Sequence, residues 1–320
     1  MLSRRTFNAL LAALTLAPLS ALADNYPSKP ISLVVPYTAG SSTDVVARIM
    51  AEQLRKQLGQ PVIVENKPGA GTAIGNAYVA NAKPDGYTIL YAGSSLTIVS
   101  AMTKTSYDPV TDFAAISAVL DLPIFLMARS DLPVKTVPEL VAYAKANPGK
   151  LNYGSAGPGS ITHLQMELAA KSAGIDLLHV PYKGTAAVTT DILGGQLQVA
   201  FLGLANVEQH IHSGALRPLA VAMPQRNVRF PDVPTVGETG VLGETAIAWG
   251  GLFAPAGTPA NVINRLNGEL KQALQTPEVR ASIQQIGAEP VTSTPEALAA
   301  RVKSDADKWN PLLATLGLQP

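Results

Sequence analysis

Cysteine is absent from all 320 residues, so no disulfide staples the fold and its stability must come from its own buried core. Charge is sparse as well. Asp, Glu, Lys and Arg make up 15% of the chain, with 24 basic residues against 23 acidic ones, a balance that leaves no electrostatic footprint for nucleic acid. Histidine occurs four times, at His163, His179, His210 and His212, and never as His-Glu-x-x-His. The pair His210 and His212 lacks carboxylates at ligand spacing, so no metal site is expected. Beyond one apolar run near the N-terminus, no segment is long and apolar enough to cross a bilayer.

That run, Ala9 to Leu19, follows Arg4 and Arg5 and is too short for a permanent membrane helix. It reads as a removable export signal. Ala21-Leu22-Ala23 supplies the small-x-small pattern for cleavage, which starts the mature chain at Asp24. Ser3-Arg4-Arg5-Thr6-Phe7 resembles a twin-arginine signal; the general secretory route and the twin-arginine route both lead out of the cytoplasm. The leader holds two of the arginines and no acid, leaving 22 basic against 23 acidic residues. About 300 mature residues suit two domains.

What is present is a repeated alternation of strands and helices. Ile31 to Val35 is a short β-branched run, followed by a polar turn from Tyr37 to Thr43. A helix comes next, with Val46, Met50, Leu54 and Leu58 on one stripe, and Gly59 ends it. Pro61 to Glu65, Gly69 to Thr72 and Ala73 to Ala82 repeat strand, turn and helix, and Tyr87 to Ala92 is a third strand. A second series runs from Ile124 through Val137 to Ala146, Thr162 to Ser172, Leu177 to Val180, Ala186 to Leu193 and Gln198 to Leu202. The C-terminal part is largely helical after Trp249 to Phe253, with helices opening at Pro259 and Pro277. The pattern predicts two α/β lobes, each with a mostly parallel sheet.

Several stretches carry a family resemblance. Tyr26-Pro27-Ser28-Lys29-Pro30-Ile31, Val64-Glu65-Asn66-Lys67-Pro68-Gly69-Ala70-Gly71, Pro84-Asp85-Gly86-Tyr87-Thr88 and Tyr107-Asp108-Pro109 resemble the Bug/TctC receptors of tripartite tricarboxylate transporters. So do Ala144 to Lys150, Tyr153-Gly154-Ser155-Ala156-Gly157, His179 to Gly184, Pro231 to Thr235 and Phe253 to Pro259, in collinear order over nearly the whole mature chain. The resemblance implies a Venus-flytrap fold of the periplasmic binding protein type, type II-like. On this reading 1–23 is the leader, 24–125 and 225–320 form lobe one, and 126–224 form lobe two. It implies a periplasmic receptor, a monomer without cofactor or catalytic residues. Such a receptor holds a small organic carboxylate between one loop from each lobe, partly through water. Its partner would be the permease subunits of a tripartite tricarboxylate transporter or, alternatively, a sensor kinase.

The residues themselves point to the same two loops. Tyr37, Thr38, Ala39, Gly40, Ser41 and Ser42 lie between a strand end and a helix start, where free amides and the helix dipole favour an anion. Asp44 falls in the first turn, with Arg48 four residues on as its ion-pair partner, and the resemblance adds a contact between Asp44 and a polar ligand group. In the second lobe, Ser155, Ala156, Gly157 and Ser160 are the expected carboxylate contacts. His163 either donates to the anion or caps the cleft wall. Tyr182 and Phe201, with Tyr37, are candidate apolar walls, and Ala205 and Asn206 follow at the cleft edge. The family usually has proline at Ala39, glycine at Ser41 and an acid at Leu202. The last change argues against a cationic group on the ligand at that point.

Enzyme readings fail on spacing. After Gly69 and Gly71 a dinucleotide fingerprint needs a third glycine where Ile74 stands, and Gly75 comes one place late. Ser155 lacks the nucleophile-elbow pattern, because Tyr153 occupies the position of its first glycine.

Overall fold

The computed structural model describes residues 26–319 except 244–245; the leader expected at 1–23 lies outside them. Four strands open the chain: β1 (Ile31–Val35), β2 (Val62–Asn66), β3 (Thr88–Gly93) and β4 (Phe113–Leu122). Five more follow: β5 (Ile124–Arg129), β6 (Asn152–Ser155), β7 (Leu178–Pro181), β8 (Val199–Gly203) and β9 (Leu216–Ala222). The chain then returns in β10 (Ala248–Pro255) and β11 (Glu289–Pro290). One sheet has the order β11-β4-β10-β3-β1-β2 and the other β7-β6-β8-β5-β9. A single residue, Pro123, separates β4 of the first sheet from β5 of the second.

The helices are α1 (Ser42–Leu58), α2 (Ala73–Ala80), α3 (Ser95–Met102), α4 (Val137–Ala146), α5 (Ile161–Ala173), α6 (Thr185–Leu193) and α7 (Leu204–His212). Then come α8 (Ala260–Ala273), α9 (Pro277–Gln285) and α10 (Pro295–Thr315). The stripe of α1 packs Val46, Met50, Leu54 and Leu58 against Ile31, Leu33 and Val35 of β1. Gly59, at φ 69°, ends that helix in the left-handed conformation and donates its N–H to the Arg55 carbonyl. β1 runs parallel to β2 and β3 and is covered on both faces, so Leu33, Val34 and Val35 are all fully buried.

The expectation of mostly parallel sheets needs correction. β10 runs antiparallel to both β3 and β4, and β5 runs antiparallel to both β8 and β9. Each sheet therefore contains a strand that enters from the other lobe, against the direction set by the local βαβ units. The return segment also differs from the expected boundary at residue 225. Val233 packs in one core of the second sheet, and Val236 and Leu242 pack in its other core, before the chain reaches β10. α10 of the first lobe meets α5 of the second through Trp309, Leu312, Leu313 and Leu164, in a cluster that also holds Ile98.

Candidate functional site

A cavity of about 710 Å³ lies between the two sheets. The first lobe lines it with Tyr37, Thr43, Ala70, Gly71, Tyr91, Ser94, Ser95, Ile98, Met102 and Trp249; the second lines it with Pro158 to Ile161 and Gly203 to Asn206. Four helices open on it: Thr43 is in the first turn of α1, Ser95 begins α3, Ile161 begins α5 and Leu204 begins α7. Among the described residues no Lys, Arg, Asp, Glu or His lines the wall. Helix ends of this kind present unpaired amides and a partial positive charge, so the cavity attracts anions without a fixed cation.

The first candidate loop is held from beneath. Asp44 is buried and accepts hydrogen bonds from Gly40 N–H at 2.9 Å, Arg48 Nε at 2.9 Å and Asn66 Nδ2 at 2.9 Å. Burial alone would raise its pKa, but Arg48, Gly40 and Asn66 together hold it at about 2. Asp44 is thus spent on the loop's shape and on the dipole of α1 rather than on the cavity wall. Ser41 caps α1 by accepting the Asp44 N–H at 3.2 Å, and Ser42 is the first helical residue. Thr38, Ala39 and Gly40 are exposed and lie outside the wall. Tyr37 reaches the cavity, with its hydroxyl 2.8 Å from Ser95 Oγ.

The second candidate loop is largely self-satisfied. Ala156 N–H donates to Thr162 Oγ1, Gly157 N–H to Ser155 Oγ, Gly159 N–H to His163 Nδ1 and Ser160 N–H to the Gly157 carbonyl. Ser155 itself is buried, with its Oγ 2.7 Å from His179 Nε2. Of the four expected carboxylate contacts on this loop, only Ser160 lines the cavity; Ser155, Ala156 and Gly157 sit behind it. His163 also faces away. It is 5% exposed and stacks on His179 with ring centroids 4.1 Å apart. Burial, and then the neighbouring His179, push its pKa down to about 4, so it is neutral and accepts the Gly159 N–H instead of donating to a ligand.

Two wall assignments change in the folded chain. Tyr182 turns its hydroxyl onto Asp191 Oδ2 at 2.6 Å and packs on the second-sheet core. Phe201 and Leu202 are fully buried on opposite faces of β8, one in each core of that lobe. β8 is an interior strand flanked by β5 and β6, which closes both of its faces to ligand. Leu202 therefore does not set ligand charge preference. Ala205 and Asn206 do line the cavity, and Asn206 Nδ2 donates to Thr185 Oγ1 at 3.1 Å.

Residues that the sequence reading left out complete the wall. Ala70 and Gly71, in the turn that follows β2, face the cavity. Gly93-Ser94-Ser95 ends a strand and opens a helix, the same signal as in the first loop. It was missed because α3, eight residues long, is too short to show an apolar stripe. The two lobes touch beside the cavity at Met102 against Gly159 and at Gly287 against Ala205.

A model of the family described as tripartite tricarboxylate transporter family receptor matches residues 46–318. Protein BugT of Bordetella pertussis is 36% identical over 92% of this chain and 90% of its own. A TctC solute binding protein from Polaromonas, solved with no ligand, is 33% identical over 91% of this chain and 99% of its own and superposes with a TM-score of 0.85. MatC from Rhodopseudomonas palustris, solved with bound malate, is 31% identical over 90% of this chain and all of its own, with a TM-score of 0.70. Two α/β lobes around a helix-ended cavity, with this match over most of the chain, place the protein in the tripartite tricarboxylate transporter receptor family. It is a family of solute-binding receptors with the periplasmic binding protein fold, not of enzymes.

Proposed function

We propose that this chain is an exported periplasmic receptor that captures a small organic carboxylate in the interlobe cavity for delivery to the permease of a tripartite tricarboxylate-type transporter. The observation that carries this reading is the convergence of four helix N-termini, two from each lobe, on a cavity with no charged side chain among the described residues. An anion there receives neutral donors from the uncapped starts of α3 in one lobe and α7 in the other, and partial positive charge from both lobes at once. Binding then favours the arrangement in which the lobes approach, which is a hinge closure driven by differential contact. The single residue between β4 and β5 is short enough to act in the hinge. The closer superposition on the ligand-free Polaromonas receptor than on malate-bound MatC, at nearly equal identity, supports two lobe dispositions in such receptors. Malate in MatC supports the ligand class.

The test is thermal unfolding of the mature protein against a panel of mono-, di- and tricarboxylates, amino acids and sugars. A cognate ligand at 100 times its Kd adds about 2.7 kcal/mol to the unfolding free energy. The same ligand should reduce the radius of gyration in small-angle scattering without changing the mass. Stabilisation by a sugar or an amine and by no carboxylate would remove this reading.

A further inference from the structure

The first-lobe wall contains a polar group that neither candidate loop includes. Tyr91 stands in the middle of β3 with 3% of its surface exposed; its ring is packed in the core around Leu33 and Leu252, and it reaches the cavity wall. Its hydroxyl has no hydrogen-bond partner among the described residues. The ring is buried while the hydroxyl end opens on the cavity, so this donor is poised for a group absent from the protein itself. The neighbouring strand makes room for it: a Cβ on Gly250 would fall 2.9 Å from Tyr91 Cζ and closer still to the hydroxyl oxygen.

α3 begins on the same wall, and its start is open. Ser94, the N-cap residue, makes no side-chain cap, because its Oγ accepts the Trp249 N–H at 3.1 Å. The first turn carries no acid, and the amides of Ser95, Leu96 and Thr97 have no acceptor. This differs from α1, where Asp44 already answers the dipole, and from α5, where Ser160 caps the first turn. Tyr37 OH and Ser95 Oγ lie 2.8 Å apart. Whichever of them donates to the other, one hydroxyl hydrogen is left over for a third group.

We propose that the Tyr91 hydroxyl, the Tyr37–Ser95 pair and the open first turn of α3 form the first-lobe seat for a carboxylate of the ligand, and that Tyr91 is a specificity-determining contact in it. This rests on the receptor reading above. Two hydroxyl hydrogens and the α3 amides suffice for the two oxygens of a planar carboxylate. Ile98 and Trp249 on the same wall keep water away, which strengthens each bond. With no cation among the described wall residues, the seat suits a carboxylate better than a dianionic phosphate.

Isothermal titration of L-malate, succinate, adipate and benzoate into the wild type, Tyr91→Phe and Ser95→Ala tests the seat. The Tyr91 hydroxyl bonds to nothing in the protein, so Tyr91→Phe should keep the ligand-free melting temperature within about 2 °C of wild type. It should nonetheless raise the Kd of the tightest binder roughly 10- to 100-fold, the loss of one hydrogen bond to a charged group. Ser95→Ala, which leaves Tyr91 in place, should raise it by a smaller factor, about three- to tenfold. A tight wild-type complex that both variants retain unchanged overturns the seat and leaves the receptor reading standing. Failure of the wild type to bind any of the four acids, or any other carboxylate, removes the receptor reading and this seat with it.

Discussion

Acidification should destabilise this protein through two stacked imidazoles, His163 and His179, both of which burial holds below the ordinary imidazole range. His163 in the fold is held at about 4 by burial and by His179, against about 6.5 in an unfolded chain. Its folded-state pKa is depressed, so the unfolded state takes up a proton first as the pH falls. Stability is unaffected by this group above about pH 7, falls between roughly pH 6.5 and 4, and levels off below that. At pH 5 the ratio of the two proton-binding polynomials is about 30, which is about 2 kcal/mol. With an unfolding entropy of about 2.1 cal/mol/K per residue over roughly 300 residues, that lowers the melting temperature by about 3 °C. The protonated ring would also lose its role as acceptor of the Gly159 N–H at 3.1 Å, so the loop that carries Ser160 loosens in the same range. The control is His163→Asn, whose Oδ1 takes the place of Nδ1 and does not titrate. That variant should be less stable at neutral pH, through lost stacking on His179, but should show about 3 °C less fall in melting temperature between pH 7.5 and 5. Parallel curves for the two proteins across that range would refute the assignment.

Asp44→Asn should cost about 2 kcal/mol in urea unfolding, because three donors lose a charged acceptor. In the wild type the stability linked to Asp44 is present above about pH 4 and is lost as the pH falls towards 2, the sign required by a depressed carboxylate pKa. Arg48→Ala, which removes an exposed cation that does not line the cavity, should change carboxylate affinity less than about threefold. Since no Lys or Arg among the described residues lines the wall, Kd should also move less than about threefold between 20 and 150 mM salt; a tenfold change would point to a cation that joins the site on closure. Gly250→Ala should cost about 1–3 kcal/mol and weaken binding at least tenfold, because its methyl group overlaps the end of Tyr91; an unperturbed complex in titration would show that the strand yields there.

Local chemistry was legible in the sequence wherever a segment's own residues decide its state. The α1 stripe with its glycine stop, the N-cap serines at Ser41 and Ser160, and the turn-to-helix order of both candidate loops follow from spacing and side-chain type alone. So does the family, whose motifs run the length of the chain. The antiparallel entry of β10 and β5, the attachment of Val233, Val236 and Leu242 to the second lobe, and the burial of Phe201 and Leu202 on both faces of β8 depend on which strands end up as neighbours. No local pattern encodes that. The cavity is the clearest case. Tyr91 reads as one more core aromatic, and Ser94 and Ser95 as a bare turn. They become donors on a wall only because Gly250, about 160 residues away, lacks a side chain beside Tyr91 and because the backbone of Trp249 takes the cap from Ser94. Sequence determines what each segment offers; long-range pairing of the strands decides which offers remain unspent.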